Sequence, residues 1–245
     1  MSAPLLSVVI PAYNEGRRLP PTLEKIQRHL AGRAHEIVVV DDGSQDDTAA
    51  RAAAAGVTVL RNEGNRGKGY SVRRGMLQAR GERRLMTDAD LSTPIEELDR
   101  LMAKMDEGYD VVIASRALPE SNIEVRQPWY RENMGRLFNF CVRVLALPGL
   151  HDTQCGFKLF TAEAAAKAFA PARLDGFSFD VEALFVARRH GCRIAELPVT
   201  WRNDEATRVD TFKGAVAFVD LARIRINYWR GAYDAPAAAS GDTVL

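Results

Sequence analysis

Short apolar runs alternate along the chain with segments whose apolar residues recur every three or four positions. Residues 5–10, 37–40 and 57–60 are continuous β-favouring runs, which are typical of strands buried on both faces of a parallel sheet. Between the first two runs the apolar residues have helical spacing: Leu19, Leu23, Ile26 and Leu30. The pattern predicts strands and helices in turn.

The second predicted helix is Ala-rich and runs from Ser44, as its N-cap, to Gly56. Asp46 and Asp47 are expected in its first turn, where the helix dipole favours negative charge. Strict alternation of strands and helices predicts right-handed βαβ units. The expected fold class is therefore α/β, with a mostly parallel, doubly wound sheet flanked by helices.

Polar clusters follow the predicted strands at 5–10 and 37–40, at residues 11–15 and 41–44. A third cluster, at 88–90, follows a further short apolar run that contains Leu85 and Met86. In doubly wound sheets, ligands bind beyond the carboxyl ends of the strands. The three clusters are therefore expected to gather on one rim of the sheet.

Asp88 and Asp90 are the clearest chemical signal in these clusters. If the strand stays extended to its end, the two carboxylates point the same way and repel each other unless a cation lies between them. Oxygen ligands of this kind suit Mg²⁺ or Mn²⁺, often completed by substrate phosphates. We interpret the pair as a metal–diphosphate site; the alternative is a polar loop that closes a strand.

Other phosphate-binding motifs are absent or weak. No Gly-x-Gly-x-x-Gly follows the first strand and no Walker lysine is present, which disfavours a dinucleotide domain and a P-loop. The Gly-rich residues 65–69 could bring backbone N–H groups and Lys68 to a phosphate at a helix start. A plain loop is the alternative there.

Composition narrows the possible partners. The chain has 245 residues, 47% of them hydrophobic, and a formal net charge of +1, which argues against a general nucleic-acid binder. The three cysteines show neither zinc spacing nor a disulfide framework, which favours a reducing compartment. Cys155 and Cys192 are expected to be small buried side chains, and His151 to pack or form a hydrogen bond.

Six motifs together resemble the inverting nucleotide-sugar glycosyltransferases of family 2, which have the GT-A fold. Within that family the chain is most similar to the dolichyl- or polyprenyl-phosphate glycosyltransferases, in particular the dolichyl-phosphate β-glucosyltransferase branch. The motifs are Ile-Pro-Ala-Tyr-Asn-Glu at 10–15, Val-Asp-Asp-Gly-Ser at 40–44, Asn-Arg-Gly-Lys-Gly at 65–69, Asp-Ala-Asp at 88–90, Ser-Arg at 115–116 and Asp-Thr-Gln-Cys-Gly-Phe-Lys at 152–158.

The resemblance implies a role for each motif residue on the donor side. The metal, Mg²⁺ or Mn²⁺, is implied at Asp90 and Asp88, and Ser92 stands where related enzymes have a third ligand. The nucleotide pocket is implied for a larger set, in which Glu15 bonds the ribose, Asp42 meets the base and Lys68 lies near the base and ribose. That set is Pro11, Ala12, Tyr13, Glu15, Asp41, Asp42, Gly67, Lys68, Asp88 and Arg208.

On the acceptor side, Arg116 and Arg131 are expected to clamp a phosphate, because a guanidinium binds phosphate oxygens bidentately. Asp180 occupies the place of a general base, although an ionised phosphate needs none. The resemblance implies sugar-binding positions at Asp152, Gln154, Lys158 and Glu182.

The expected activity is transfer of a hexose, glucose from UDP-glucose, onto a dolichyl or polyprenyl phosphate. Three alternatives remain open: GDP-mannose as donor, a saccharide acceptor with Asp180 as a true base, and a nucleotide-sugar-binding scaffold without turnover.

Two segments mix large apolar side chains with arginines, residues 129–147 and 212–229, and each fits a helix lying in a lipid headgroup layer or a helix with a solvated basic face. A polyprenyl acceptor favours the membrane, which predicts a peripheral protein on the cytoplasmic face with a C-terminal interfacial helix. No window approaches the ~18 apolar residues of a membrane span. One catalytic domain is expected over residues 1–233, with a disordered tail at 234–245.

Overall fold

The computed structural model describes residues 4–125, 129–202 and 212–234, and within them the chain forms nine strands and eight α-helices. The strands are β1 (Leu6–Ala12), β2 (His35–Asp41), β3 (Thr58–Arg61), β4 (Arg83–Thr87), β5 (Val111–Ser115), β6 (Asn122–Val125), β7 (Phe157–Thr161), β8 (Ile194–Pro198) and β9 (Thr200–Arg202). The helices are α1 (Leu19–His29), α2 (Thr48–Ala54), α3 (Lys68–Gln78), α4 (Glu97–Asp106), α5 (Trp129–Leu145), α6 (Ala162–Phe169), α7 (Phe179–Arg189) and α8 (Phe212–Trp229). Except for Asp234, the predicted tail lies outside the described residues.

Seven strands form one sheet in the order β3-β2-β1-β4-β7-β5-β8. All neighbouring pairs are parallel except those of β7, which runs antiparallel to both β4 and β5. The predicted α/β class with a mostly parallel, doubly wound sheet is confirmed. A separate parallel pair, β6 with β9, lies beside it.

Two apolar cores lie on the two faces of this sheet. Alternate residues of β1 enter different cores, Val8 and Ile10 on one side and Val9 on the other, as the period of a strand requires. Helices α1 and α4 cover the first face, and α3, α6 and α7 cover the second. The carboxyl ends of β1, β2 and β4 are thereby held at one rim.

Two local boundaries differ from those predicted. Strand β1 continues through Pro11, which is tolerated because its pairing with β4 ends at Val9 and leaves a partner on one side only. The predicted N-cap at Ser44 is wrong: α2 begins at Thr48, and the Ser44 hydroxyl accepts a hydrogen bond from the Asn14 N–H instead.

Helices α5 and α8 touch through an edge-to-face contact between Phe138 and Phe218. Along the described stretches of the chain, every helix is too short or too polar to cross a bilayer.

Gly75 sets the distance between α3 and the sheet. A Cβ added there would overlap the Val9 side chain and come within 2.8 Å of Val40 Cγ2, and both valines are fully buried. We expect Gly75→Ala to lower the free energy of unfolding by about 1–3 kcal/mol, because overpacking outweighs the gain in helix propensity. Urea denaturation measures this change.

Gly135 in α5 is the matched control, because a Cβ there would meet no atom within 4 Å. Gly135→Ala is expected to raise the free energy of unfolding by about 0.5–1 kcal/mol. Equal shifts for both variants would contradict the close packing of α3.

Candidate active site

The Asp88–Asp90 segment forms a turn rather than the end of a strand. Strand β4 stops at Thr87, and the Leu91 N–H donates to the Asp88 carbonyl at 3.2 Å, with Leu91 at a φ of 47°. The expectation that strand alternation aligns the two carboxylates is therefore wrong. The turn is held from outside by the Thr22 hydroxyl, which donates to the Ala89 carbonyl at 2.7 Å.

Lys68 is the cation of this turn. Its Nζ lies 2.6 Å from Asp88 Oδ1. Burial acts to lower the pKa of Lys68, but the carboxylates of Asp88, Asp180 and Asp90 outweigh it and raise that pKa. The ammonium therefore stays charged and lies at the acidic residues, whereas the resemblance implied a place beside the base and ribose.

Gly156 forms the floor beneath Asp88. The Asp88 N–H donates to the Gly156 carbonyl at 3.2 Å, and any side chain at position 156 would overlap the Asp88 carboxylate. Two residues further on, at the start of β7, Lys158 is buried and its ammonium is ion-paired with Asp180. Strand β7 thus delivers a second buried cation next to the turn.

Asp180, in the first turn of α7, is buried between two lysines. Burial raises the pKa of its carboxyl, and Lys158 and Lys68 oppose that rise. Asp180 therefore acts electrostatically on Lys68, the same ammonium that pairs with Asp88.

Arg116 follows β5 and is held by Asp152. Its Nε and Nη2 donate to the two oxygens of Asp152 at 2.6 and 2.9 Å, and its backbone N–H donates to Oδ2 at 3.0 Å. The guanidinium also lies over the Trp201 ring, 5.4 Å from its centroid. This grip uses two of the three guanidinium nitrogens and leaves Nη1 for another acceptor.

The charged side chains form a connected series in which each cation interacts with neighbouring carboxylates. Asp152 acts electrostatically on Arg116 and Lys158, Asp180 on Lys158 and Lys68, and Lys68 on both acids of the turn. The series has four carboxylates and three cations, a net charge of −1: Asp90, Asp88, Lys68, Asp180, Lys158, Asp152 and Arg116. The structure therefore brings together residues that lie up to 112 positions apart in the chain, from Lys68 to Asp180.

The chemistry of this site fits a divalent cation held together with a diphosphate. Asp90 and Asp88 supply hard oxygen donors, and Asp90 Oδ1 is oriented by the Ser92 N–H at 3.0 Å. In the described part of the chain no group of three His, Cys, Asp or Glu side chains could hold a metal alone. Two carboxylates suit Mg²⁺ or Mn²⁺ when substrate phosphates complete the shell.

Asp42 organises the neighbouring loop. Its Oδ1 accepts from Asn62 Nδ2 at 2.8 Å and from the Arg66 N–H at 2.9 Å, and its Oδ2 accepts from the Gly67 N–H at 2.9 Å. The carboxylate is buried and supports residues 62–67, and its contact with the base stays a prediction. Asp41 is also buried and binds the Ser44 N–H and Arg61.

The backbone donors at the start of α3 are already used. The N–H groups of Gly69 and Tyr70 both donate to the Asp175 carbonyl, at 2.8 and 3.3 Å. These two N–H groups are therefore not directed at a phosphate, whereas a phosphate contact of the Lys68 ammonium stays a prediction. Gly67 has a φ of 100° and its Cβ would overlap the Asp175 carbonyl, so the glycines serve close packing.

The remaining nucleotide residues lie at the rim after β1. Pro11 and Ala12 end that strand, Tyr13 is exposed, and the Glu15 carboxylate pairs with Arg18 at 2.8 Å. Their contacts with a nucleotide stay predictions.

Glu182 is not brought to the charged series. It lies two residues after Asp180, about 200° around the helix, and accepts from the N–H groups of Arg173 and Leu174 and from the Tyr233 hydroxyl. These contacts support the loop before α7, and the expected sugar binding of Glu182 stays a prediction.

The other predicted positions divide into two groups. The Gln154 N–H donates to Asp152 Oδ1 at 3.2 Å, which places this residue beside the Arg116 grip. Arg208 and the side chain of Arg131 lie outside the described residues.

Residues that were expected to be structural are so. Cys155 is buried, and burial raises the pKa of its thiol to about 11; burial also raises the pKa of Cys192. The His151 ring lies 3.0 Å from the Glu196 carboxylate, which confirms the expected hydrogen bond.

Sequence reasoning missed the residues that support the site. Glu196 and Trp201 hold Arg116 and the Asp152 loop, yet neither belongs to a cluster at a strand end. The only available signal was a lone glutamate inside the otherwise apolar run of β8.

Gly156→Ala tests the floor of the site. The three atoms nearest to the added methyl all belong to the Asp88 side chain, so the methyl would displace that carboxylate from Lys68 and the fold should persist. We expect the affinity for UDP in the presence of Mn²⁺ to fall about tenfold or more, as for a lost hydrogen bond to a charged group. Calorimetry measures the affinity, with Gly135→Ala as control, and an unchanged affinity would contradict this placement.

Comparison with known proteins identifies the family. The model of the family described as Glycosyl transferase family 2 matches residues 7–169. A dolichyl-phosphate β-glucosyltransferase of Dictyostelium discoideum is 35% identical over 246 residues, which covers 92% of this chain and 75% of that protein. The Mus musculus protein of the same name is 36% identical over 249 residues, 93% and 77% of the two chains.

Solved structures share the fold. Mannosyl-3-phosphoglycerate synthase from Rubrobacter xylanophilus has a TM-score of 0.73 at 20% identity, covering 98% of this chain and 79% of its own. Glucosyl-3-phosphoglycerate synthase from Mycobacterium tuberculosis, in complex with Mn²⁺ and UDP-glucose, has a TM-score of 0.66 at 21% identity, covering 98% and 82%. The chain therefore belongs to glycosyl transferase family 2 and is a glycosyltransferase with the GT-A fold.

Proposed function

We propose that the enzyme transfers glucose from UDP-glucose, with inversion, onto the phosphate of a dolichyl or polyprenyl lipid. The observation that carries this proposal is Arg116, which is fixed by Asp152 with Nη1 left for a phosphate, in the same charged series as the Asp88–Asp90 turn. The names of the relatives in Dictyostelium discoideum and Mus musculus support glucose as the transferred sugar and dolichyl phosphate as the acceptor.

The donor diphosphate is assigned to the turn. Asp90, with Asp88 beside it, would hold Mg²⁺ or Mn²⁺, which when bound supplies neutralisation of the leaving diphosphate. Lys68 adds a cation that its neighbours keep protonated. These charges stabilise UDP as it departs, an electrostatic contribution to catalysis.

The acceptor phosphate is assigned to Arg116. Burial acts to lower the pKa of this guanidinium, but Asp152 outweighs it and raises that pKa, so the charge is permanent. An oxygen of the acceptor phosphate forms the new bond to C1 of glucose while the bond from C1 to the diphosphate oxygen breaks, and UDP leaves with the electron pair. Attack opposite the leaving group inverts the anomeric centre.

This reaction needs no general base, because a phosphate monoester is already ionised near neutral pH. Asp180 then orients Lys158 and Lys68 in the site. A second candidate function is transfer to a saccharide hydroxyl, with Asp180 as base, and the raised pKa of Asp180 favours it.

Arg116→Ala separates the two functions. We expect kcat/KM for a short-chain polyprenyl phosphate to fall about a hundredfold, because a charge that pairs with the acceptor is lost. UDP binding with Mn²⁺ should change little, which shows that the site survives. Mass analysis of the lipid product measures transfer.

Arg83→Ala is the matched control, since Arg83 is also paired with an aspartate, Asp106, and is 23% exposed against 27% for Arg116. Arg83 begins β4 and so lies at the amino end of that strand, whereas the Asp88–Asp90 turn follows its carboxyl end. Arg116→Lys retains the charge and should recover part of the activity. Full activity of Arg116→Ala with the phosphate acceptor would contradict the proposed function.

We further propose that α5 and α8 lie against the cytoplasmic face of a membrane. Apolar side chains are exposed at helical spacing on both: Leu137, Phe140 and Val144 on α5, and Val219, Ile226 and Trp229 on α8. Arg225 stacks on Trp229 at 5.6 Å, and Arg223 is exposed, which suits anionic headgroups. The three free cysteines support the choice of the cytoplasmic face, because the cytoplasm keeps thiols reduced.

Replacement of Phe140 and Trp229 together by Glu tests this surface. These side chains are 55% and 72% exposed, so the fold should tolerate the change. We expect binding to phosphatidylcholine vesicles with anionic lipid to weaken by more than about tenfold, because two large apolar groups no longer enter the interface. Vesicle cosedimentation measures binding.

Leu5→Glu with Leu77→Glu is the control, because both leucines are 41% exposed and lie outside α5 and α8. It should leave vesicle binding unchanged. Equal loss in both double variants would argue for a general charge effect and against the surface.

A further inference from the structure

Glu196, in β8, is a buried carboxylate whose contacts all point to one loop. Its Oε1 accepts from the Asp152 N–H at 2.7 Å, and its two oxygens share the His151 N–H at 3.1 and 2.9 Å. The His151 ring adds a contact at 3.0 Å. A buried carboxylate needs such compensation, so the position of the loop is tied to that of Glu196.

The strand that carries Glu196 is also the neighbour of the strand that leads to Arg116. Strands β5 and β8 are parallel, with Ile113 opposite Glu196 and Ser115 opposite Pro198. Arg116 is the next residue after β5. Glu196 therefore fixes the Asp152 loop to the same pair of strands from which Arg116 emerges.

The Asp152 loop has little structure of its own. Residues 151–156 form neither helix nor strand, and Asp152 is nevertheless almost fully buried. Its side chain accepts from the Arg116 N–H, from the Gln154 N–H and from the guanidinium. A shift of the Asp152 backbone would therefore be passed directly to the Arg116 side chain.

We propose that Glu196 is a positioning residue for the acceptor: through the His151 and Asp152 N–H groups it sets the direction in which Arg116 presents Nη1. This inference rests on the proposed function, in which Arg116 binds the acceptor phosphate. In this proposal Glu196 acts only through the Asp152 loop and Arg116.

Glu196→Gln is the test, because the amide has the same size but only one acceptor oxygen. Its NH₂ group would face backbone donors, so at least one hydrogen bond to the loop is lost. We expect KM for a short-chain polyprenyl phosphate to rise about tenfold, with kcat changed less and the Kd of UDP with Mn²⁺ within about twofold of the parent.

Glu36→Gln is the matched control. Glu36 is a carboxylate with 10% side-chain exposure against 7% for Glu196. It accepts from the Ser7 hydroxyl and the Arg80 N–H near the amino end of β2, whereas the polar clusters of the site follow the carboxyl ends of their strands. It should lower the urea midpoint without changing KM for the acceptor. A rise in that KM for Glu36→Gln would show that loss of stability alone produces the effect and would overturn the proposal.

A double-mutant cycle with Arg116→Ala makes the two proposals separable. If Glu196 acts through Arg116, Glu196→Gln adds less than about twofold to the acceptor KM of Arg116→Ala. Normal acceptor kinetics for Arg116→Ala would overturn the proposed function. An impaired Arg116→Ala beside a normal or fully additive Glu196→Gln would overturn only the role of Glu196.

His151→Ala covers the case in which Glu196→Gln does not bind UDP. It removes the ring contact that helps to orient the Glu196 carboxylate and leaves both backbone donors. The ring is 45% exposed, so the fold should persist. The acceptor KM should rise a few-fold, about what one hydrogen bond contributes. An unchanged KM would count against the proposal.

Discussion

The structure depends on the requirement that a charge removed from water must have a partner. The site places four carboxylates within one region, together with three cations that the chain itself supplies. Lys68, Lys158 and Arg116 come from a helix start, a strand and the end of another strand. Removing Lys158 or Arg116 would leave a buried aspartate, Asp180 or Asp152, without its cation, which is costly and favours one arrangement of the site.

Sequence alone predicts the parts of this enzyme that follow from periodicity and from local motifs. The alternation of strands and helices predicts a mostly parallel sheet. The polar clusters after β1, β2 and β4 predict the position of the site, because the carboxyl ends of parallel strands lie at the same rim. Strand alternation did not predict the Asp88–Asp90 geometry, since Thr87 is the last strand residue. Ser44 does not cap α2, and its hydroxyl instead accepts a hydrogen bond from the Asn14 N–H, a contact between distant segments of the chain.

Sequence is less informative about which polar side chains are available to bind a substrate and which support the protein's own loops. Asp42 and Glu182 stand in motifs as typical as Asp88, but their oxygens are occupied by backbone donors of adjoining loops. That difference depends on contacts between distant segments, which no spacing records. Glu196 was missed for the same reason, since its partners lie 44 and 45 residues away.

The place of β7 in the sheet has a consequence for how the molecule is assembled. Strand β5 pairs only with β7 and β8 in the sheet, so it has no sheet partner until residue 157 has left the ribosome. The first four strands can pair earlier and present the open edge of β4, a surface prone to wrong pairing while synthesis continues. Insertion of β7 covers the open edge of β4 and brings Lys158 to its place in the same event. The nascent chain therefore completes its active-site charges only after that edge is covered.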